Sequence, residues 1–142
     1  MIEPVAAVAF VWLGMVLALS FLEAPLKFRA PGVTLRLGLG IGRLVFAALN
    51  RIEVLLAAAI AAGLVIGPRP PPVVASALAA GALLAVQLLA VRPALSRRTD
   101  RVIGAEDDAD GPGSRAHLVY VALEIAKVVA LLVLGSTALA AS

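Results

Sequence analysis

Cysteine is absent from the 142 residues. That excludes disulfides, thiolate metal sites and cysteine nucleophiles. Histidine occurs once, at His117. No HExxH, no P-loop and no nucleophile elbow is present, so no enzyme is expected. Charge is scarce as well, at 15% of residues against about 25% in an ordinary soluble domain. No Lys or Arg precedes the first apolar run, which instead carries Glu3. A secretory signal peptide begins with positive charge, so the first run is expected to be a retained helix. The net charge of +3 is small. Its basic residues sit in connectors, which makes them topology signals and not contacts for nucleic acid.

Apolar residues are abundant: 62% of the chain, with a mean hydropathy of +1.04. A soluble domain is about 45–50% apolar. At about 20 apolar residues per crossing, the length fits four crossings. The expected fold is therefore all-α: a polytopic membrane protein whose four transmembrane helices form one bundle. The helices are expected over residues 4–22, 43–66, 73–91 and 116–141. Pro4 suits a first helical turn, and Glu23-Ala24-Pro25 is expected to end or kink the first helix. The connector 23–42 carries four glycines and an alternation of apolar and basic residues, so part of it is expected on the membrane surface. Gly67-Pro68-Arg69-Pro70-Pro71-Pro72 makes a short stiff turn.

Orientation follows from Lys and Arg. The first connector and its border hold Lys27, Arg29, Arg36 and Arg43; the last holds Arg92, Arg97, Arg98, Arg101 and Arg115; the middle turn has only Arg69. Cytoplasmic loops collect such residues. Both basic connectors, 23–42 and 92–115, are expected inside and both termini outside, in a bacterial cytoplasmic membrane.

Within that frame a few polar residues stand at similar depth. At 1.5 Å per residue, Asn50 and Glu53 lie roughly 10–15 Å from the inner boundary, Glu124 and Lys127 roughly 12–17 Å, and Gln87 roughly 7 Å. Charges at such depth cost roughly 2.5–3.5 kcal/mol each on insertion scales and mark functional-site hypotheses. His117, Tyr120, Glu124 and Lys127 form one stripe of the last helix, and Glu124 and Lys127 can pair along it. Asn50 and Glu53 share a face, whereas Arg51 and Glu53 cannot pair. The simplest packing sets Asn50 and Glu53 against Glu124 and Lys127, with Gln87 and Ser20 nearby and Glu23 at the inner boundary. Lys127 then compensates one carboxylate and leaves the other able to hold a proton. The competing reading is structural, since interhelical polar contacts also fix helix register in membranes. Arg51 is expected to snorkel toward the near interface.

Other features carry less. No cofactor is expected; His117 as a haem or chlorin ligand is a minor alternative to an interfacial hydrogen bond. Gly38-x-Gly40-x-Gly42 lacks a surrounding βαβ unit and is expected to permit a bend or close packing. The acidic stretch 106–110 lacks EF-hand spacing and reads as a solvated loop. Gly81 and the alanines of the third helix offer a small-residue surface for close approach within the bundle or between subunits. Trp12 reads as packing.

The run Gly14…Ser20-Phe21-Leu22-Glu23-Ala24-Pro25-Leu26-Lys27-Phe28, with Val91-Arg92-Pro93 and the histidine-led last helix, resembles a DUF-class family of four-helix integral membrane proteins with a vertebrate TMEM-type branch. The resemblance covers about half the chain. It implies a four-helix membrane fold and no reaction. Two functions fit: a transport- or proton-linked role worked by the inner-half cluster, or a non-catalytic accessory subunit of a larger membrane complex. The lipid bilayer is the first expected partner, with a homo-oligomer or larger complex beside it.

Overall fold

The computed structural model describes residues 2–91, 93 and 115–142. The described chain is helical, and four of its helices are long and apolar enough to cross a membrane. This marks the protein as an integral membrane protein. Helix α1 (Glu3–Val16) starts on Pro4, whose missing N–H costs nothing in a first turn. Helix α2 runs Leu35–Ile66, α3 runs Pro71–Val86 and α4 runs Arg115–Ala140. The turn between α2 and α3 is short enough to make them antiparallel neighbours. Helix α1 packs on α2 and α4, α4 packs on α1 and α3, and α2 touches α3 more lightly.

Two boundaries differ from the sequence expectation. The first helix does not stop at Glu23. It widens into a π segment, Leu17–Glu23, then continues through Ala24–Leu26 and a 3-10 turn, Lys27–Arg29. Proline has no N–H and its ring crowds the carbonyl four residues back. The π turn lies just before it, and the Ala24 N–H bonds back five residues to Leu19. The break is thus absorbed as a change of helical pitch.

The second helix begins at Leu35, eight residues before the expected 43. Thr34 caps it, its hydroxyl accepting from the Leu37 N–H at 3.1 Å. Of the bend or close packing expected at the glycines, those at 38 and 42 serve close packing. They are seats for the end of the first helix: the Phe28 ring lies where a Gly38 side chain would be, and Lys27 Nζ would stand 2.8 Å from a Cβ at Gly42. The stretch expected on the membrane surface is therefore the first two turns of α2. At 1.5 Å per residue the 32-residue helix is about 48 Å long. That exceeds a hydrocarbon core of about 30 Å, so α2 tilts or projects at its basic end.

Inside the bundle an apolar plug fills the half away from Lys27, Arg36 and Arg43. It is built from Val5, Ala9, Leu13, Ile60, Val73, Ala80, Leu131 and Leu134. Ser76, buried within it, satisfies its hydroxyl by donating to the Pro72 and Val73 carbonyls at 2.8 and 3.1 Å. Gly135 lets the Phe10 ring approach α4 so closely that a Cβ would meet it at 2.6 Å. Apart from Arg51, the outer surface midway along the helices is apolar, with Leu44, Leu55, Val65, Leu78, Leu89 and Leu118 all exposed.

These contacts separate two glycines. A Cβ at Gly81 meets nothing within 4 Å. Gly81→Ala is expected to raise stability by about 0.5–1 kcal/mol, the helical preference of alanine over glycine. Gly135→Ala is expected to lower it by about 1–3 kcal/mol through overpacking. Thermal unfolding in detergent, followed by circular dichroism, checks both; shifts in the same direction contradict the packing described.

Candidate functional site

Below the plug, toward the basic end, the bundle closes around charge. Glu53, Gln87, Glu124 and Lys127 are each almost wholly inaccessible. The Lys127 ammonium on α4, with its three hydrogens, stands among three side-chain oxygens. Glu53 on α2 pairs with it directly, Glu124 Oε1 lies at 2.5 Å one turn before it, and Gln87 Oε1 accepts at 2.8 Å. Gln87 also donates from Nε2 to Glu124 Oε1 at 2.7 Å. Ser20 donates its hydroxyl to Glu124 Oε2. Trp12 donates its indole N–H to Glu53 Oε2 at 2.7 Å. Every helix contributes.

Local structure explains how. Ser20 lies within the π segment of the first helix, and Gln87 opens a second one, Gln87–Val91, that continues α3. Such widened turns re-aim side chains and recur at functional sites. Glu124 and Lys127 are three apart on α4 and so face the same way. The set holds two carboxylates and one ammonium, so with all three ionised it carries one uncompensated negative charge.

The remaining candidates fall around this core. Asn50, 5% exposed, is buried one turn from Glu53 on the basic side. Tyr120 is buried there too, its ring edge-on to Phe46 at 5.7 Å and 83°. Glu23 is half-buried and pairs with Lys27 at 3.9 Å, away from Lys127. The Lys27 ammonium lies 5.5 Å from the Phe28 ring and 5.9 Å from the Phe46 ring. Arg51 is exposed on the outer surface of α2, with no ion pair or hydrogen bond among the described residues. His117 is in α4, but its side chain lies outside the described residues, as do Arg97, Arg98 and the acidic stretch 106–110.

Trp12 corrects the sequence reading, which took it as packing alone. It packs and also donates. The signal available was its place in an apolar run: a buried indole N–H needs an acceptor, and Glu53 was the carboxylate without a partner on its own helix.

Compared with protein-family models, curated proteins and solved structures, the chain matches none. The site must therefore be read from its own chemistry.

A charge stripped of its partner inside a bundle costs about 3–5 kcal/mol, whereas removing a pair together is often neutral. Lys127→Leu leaves two carboxylates unmatched. It is expected to lose about that amount of stability. The double change Lys127→Leu with Glu124→Leu is expected to lose less, and Glu53→Gln, which leaves one balanced pair, least of the three. Detergent or thermal denaturation ranks them; equal loss for the Lys127 single and double variants contradicts the shared ion pair.

Proposed function

We propose that the chain is a small bacterial inner-membrane protein with a proton-linked transport role, and that the buried cluster is its working part. The observation that carries this reading is Lys127 shared between Glu53 and Glu124, deep inside helices apolar enough to span a bilayer. Ionisable groups at such depth are expensive and rarely retained without use. One negative charge stays uncompensated unless a positive species joins it. The polar groups reach the cluster from one side only, through Asn50, Tyr120 and the Glu23–Lys27 pair, while the other side is the apolar plug. That asymmetry supports access from the basic end and a gated path onward, not an open pore.

The orientation belongs to the same proposal. The basic connectors lie in the cytoplasm and both termini outside, on the bias of nine Lys and Arg against Arg69 alone. A second reading, an accessory subunit or oligomer, draws on two outward features. Ala75, Ala79 and Ala82 are exposed along one side of α3, and Arg51 is exposed midway along α2. Small outward residues permit close approach of another helix.

Reconstitution in liposomes containing a pH-sensitive dye tests the first reading. The native chain is expected to dissipate an imposed proton gradient, with or without a co-substrate. Glu53→Gln and Glu124→Gln are expected to slow it about a hundredfold, the scale on which a positioned proton-transfer group acts. Equal rates in all three, or no flux in any, favour the accessory subunit. Because the chain has no cysteine, orientation is read on a clean background: an impermeant thiol reagent on intact cells is expected to label Arg69→Cys and spare Asp110→Cys. The reverse pattern inverts the topology.

A further inference from the structure

On one face of α2, Oδ1 of Asn50 and Oε1 of Glu53 are buried with no hydrogen-bond partner among the described residues. Asn50 is 5% exposed and Glu53 0%. They are three apart on α2 and so lie on one face. Buried polar atoms are nearly always paired. Both of these are acceptors, so what the pocket lacks is a donor or a positive charge.

The rest of the cluster narrows the choice. Lys127 donates to Glu53 Oε2 and Gln87 Oε1 and is ion-paired with Glu124 Oε1. Glu124 has both oxygens occupied, Oε2 by Ser20 and Oε1 by Gln87 and Lys127. Glu53 alone keeps a free oxygen, because Trp12 and Lys127 both use Oε2. An anion would add to the excess negative charge. A divalent ion would overcompensate it, and a hard cation stripped of water collects about six oxygen ligands, where the pocket offers two. A water molecule alone would satisfy the acceptors but leave the charge. One proton satisfies both acceptors and the charge together.

We propose that Glu53 holds a proton on Oε1 and donates it, directly or through one water molecule, to Oδ1 of Asn50. Glu124 is then the standing counter-ion of Lys127, and Asn50 is the positioning residue for the acid. Loading transfers a proton from hydronium on the Asn50 side to the Glu53 carboxylate and releases water; no other bond changes. The groups facing Glu53 are Lys127 and Glu124 from α4, Gln87 from the π segment after α3, and Trp12 from α1. This deepens the proton-linked reading of the cluster and rests on it.

Infrared spectroscopy of the chain in lipid bilayers tests the assignment. Exposed carboxylates are ionised at neutral pH, so a carboxylic-acid C=O band there reports a buried acid. The native chain is expected to show one, shifted down in deuterium oxide. Glu53→Gln is expected to abolish it, Glu124→Gln to retain it, and Asn50→Leu to move it to higher frequency by removing the acceptor. No acid band in the native chain overturns the proposal, as does a band that disappears in Glu124→Gln and persists in Glu53→Gln. Should Glu53→Gln not fold, Asn50→Leu decides, and an unmoved band overturns the pairing. The infrared result is independent of flux. An acid band with this pattern in a chain that moves no protons overturns the transport reading and supports the proton site; flux without an acid band overturns the proton site alone.

Discussion

Lys127 is held by three side-chain oxygens, hydrogen-bonded to those on α2 and on the π segment after α3 and ion-paired with the one on α4 itself. The first helix joins through Trp12 on Glu53 and Ser20 on Glu124. In hydrocarbon the hydrophobic effect does not draw helices together, and packing and interhelical hydrogen bonds take its place. Sliding any one helix by a turn would break a bond to a buried charge. The ammonium thus sets the register of the bundle, and the other features can be understood as arrangements around it.

Two of those arrangements are backbone devices. The π segments at Leu17–Glu23 and Gln87–Val91 lie where Ser20 and Gln87 must reach inward. The glycines at 38, 42 and 135 give up side-chain volume where Phe28, Lys27 and Phe10 press against a neighbouring helix. Above the charges the plug around Leu131 and Leu134 is apolar and buried; below them Asn50, Tyr120, Phe46 and Lys27 form a mixed polar and aromatic approach. The proposed function draws on that contrast, since a charge reachable from one side only would be loaded from that side and released to the other only after a rearrangement.

Much of this was legible in the residues. Glu53, Gln87, Glu124 and Lys127 stand out because a charge or amide in an apolar run has few places to go, and helical rise set them at one depth. Helix number followed from hydropathy. The misread parts share a cause: residues that serve two purposes. Trp12 is hydrophobic by area and polar by one N–H, and only its neighbour shows which matters. Gly38 and Gly42 left a bend and close packing both open along the chain, and only the side chains lying across them, Phe28 and Lys27, show that packing is their use. Pro25 does interrupt the hydrogen-bond pattern, but a π turn accommodates it without ending the helix. The free oxygens of Asn50 and Glu53 were beyond reach of the sequence, because which atom of a carboxylate is occupied depends on three other helices.

The indole of Trp12 offers the most direct measurement, because the chain has a single tryptophan. Its one indole N–H gives one nuclear magnetic resonance signal from the centre of the proposed knot. In bilayer-mimetic micelles or nanodiscs, that proton is expected to exchange slowly with solvent and to shift markedly in Glu53→Gln and Lys127→Leu, while staying in place in Arg51→Gln. Rapid exchange, or a position indifferent to Glu53, would contradict a charge cluster that ties all four helices together.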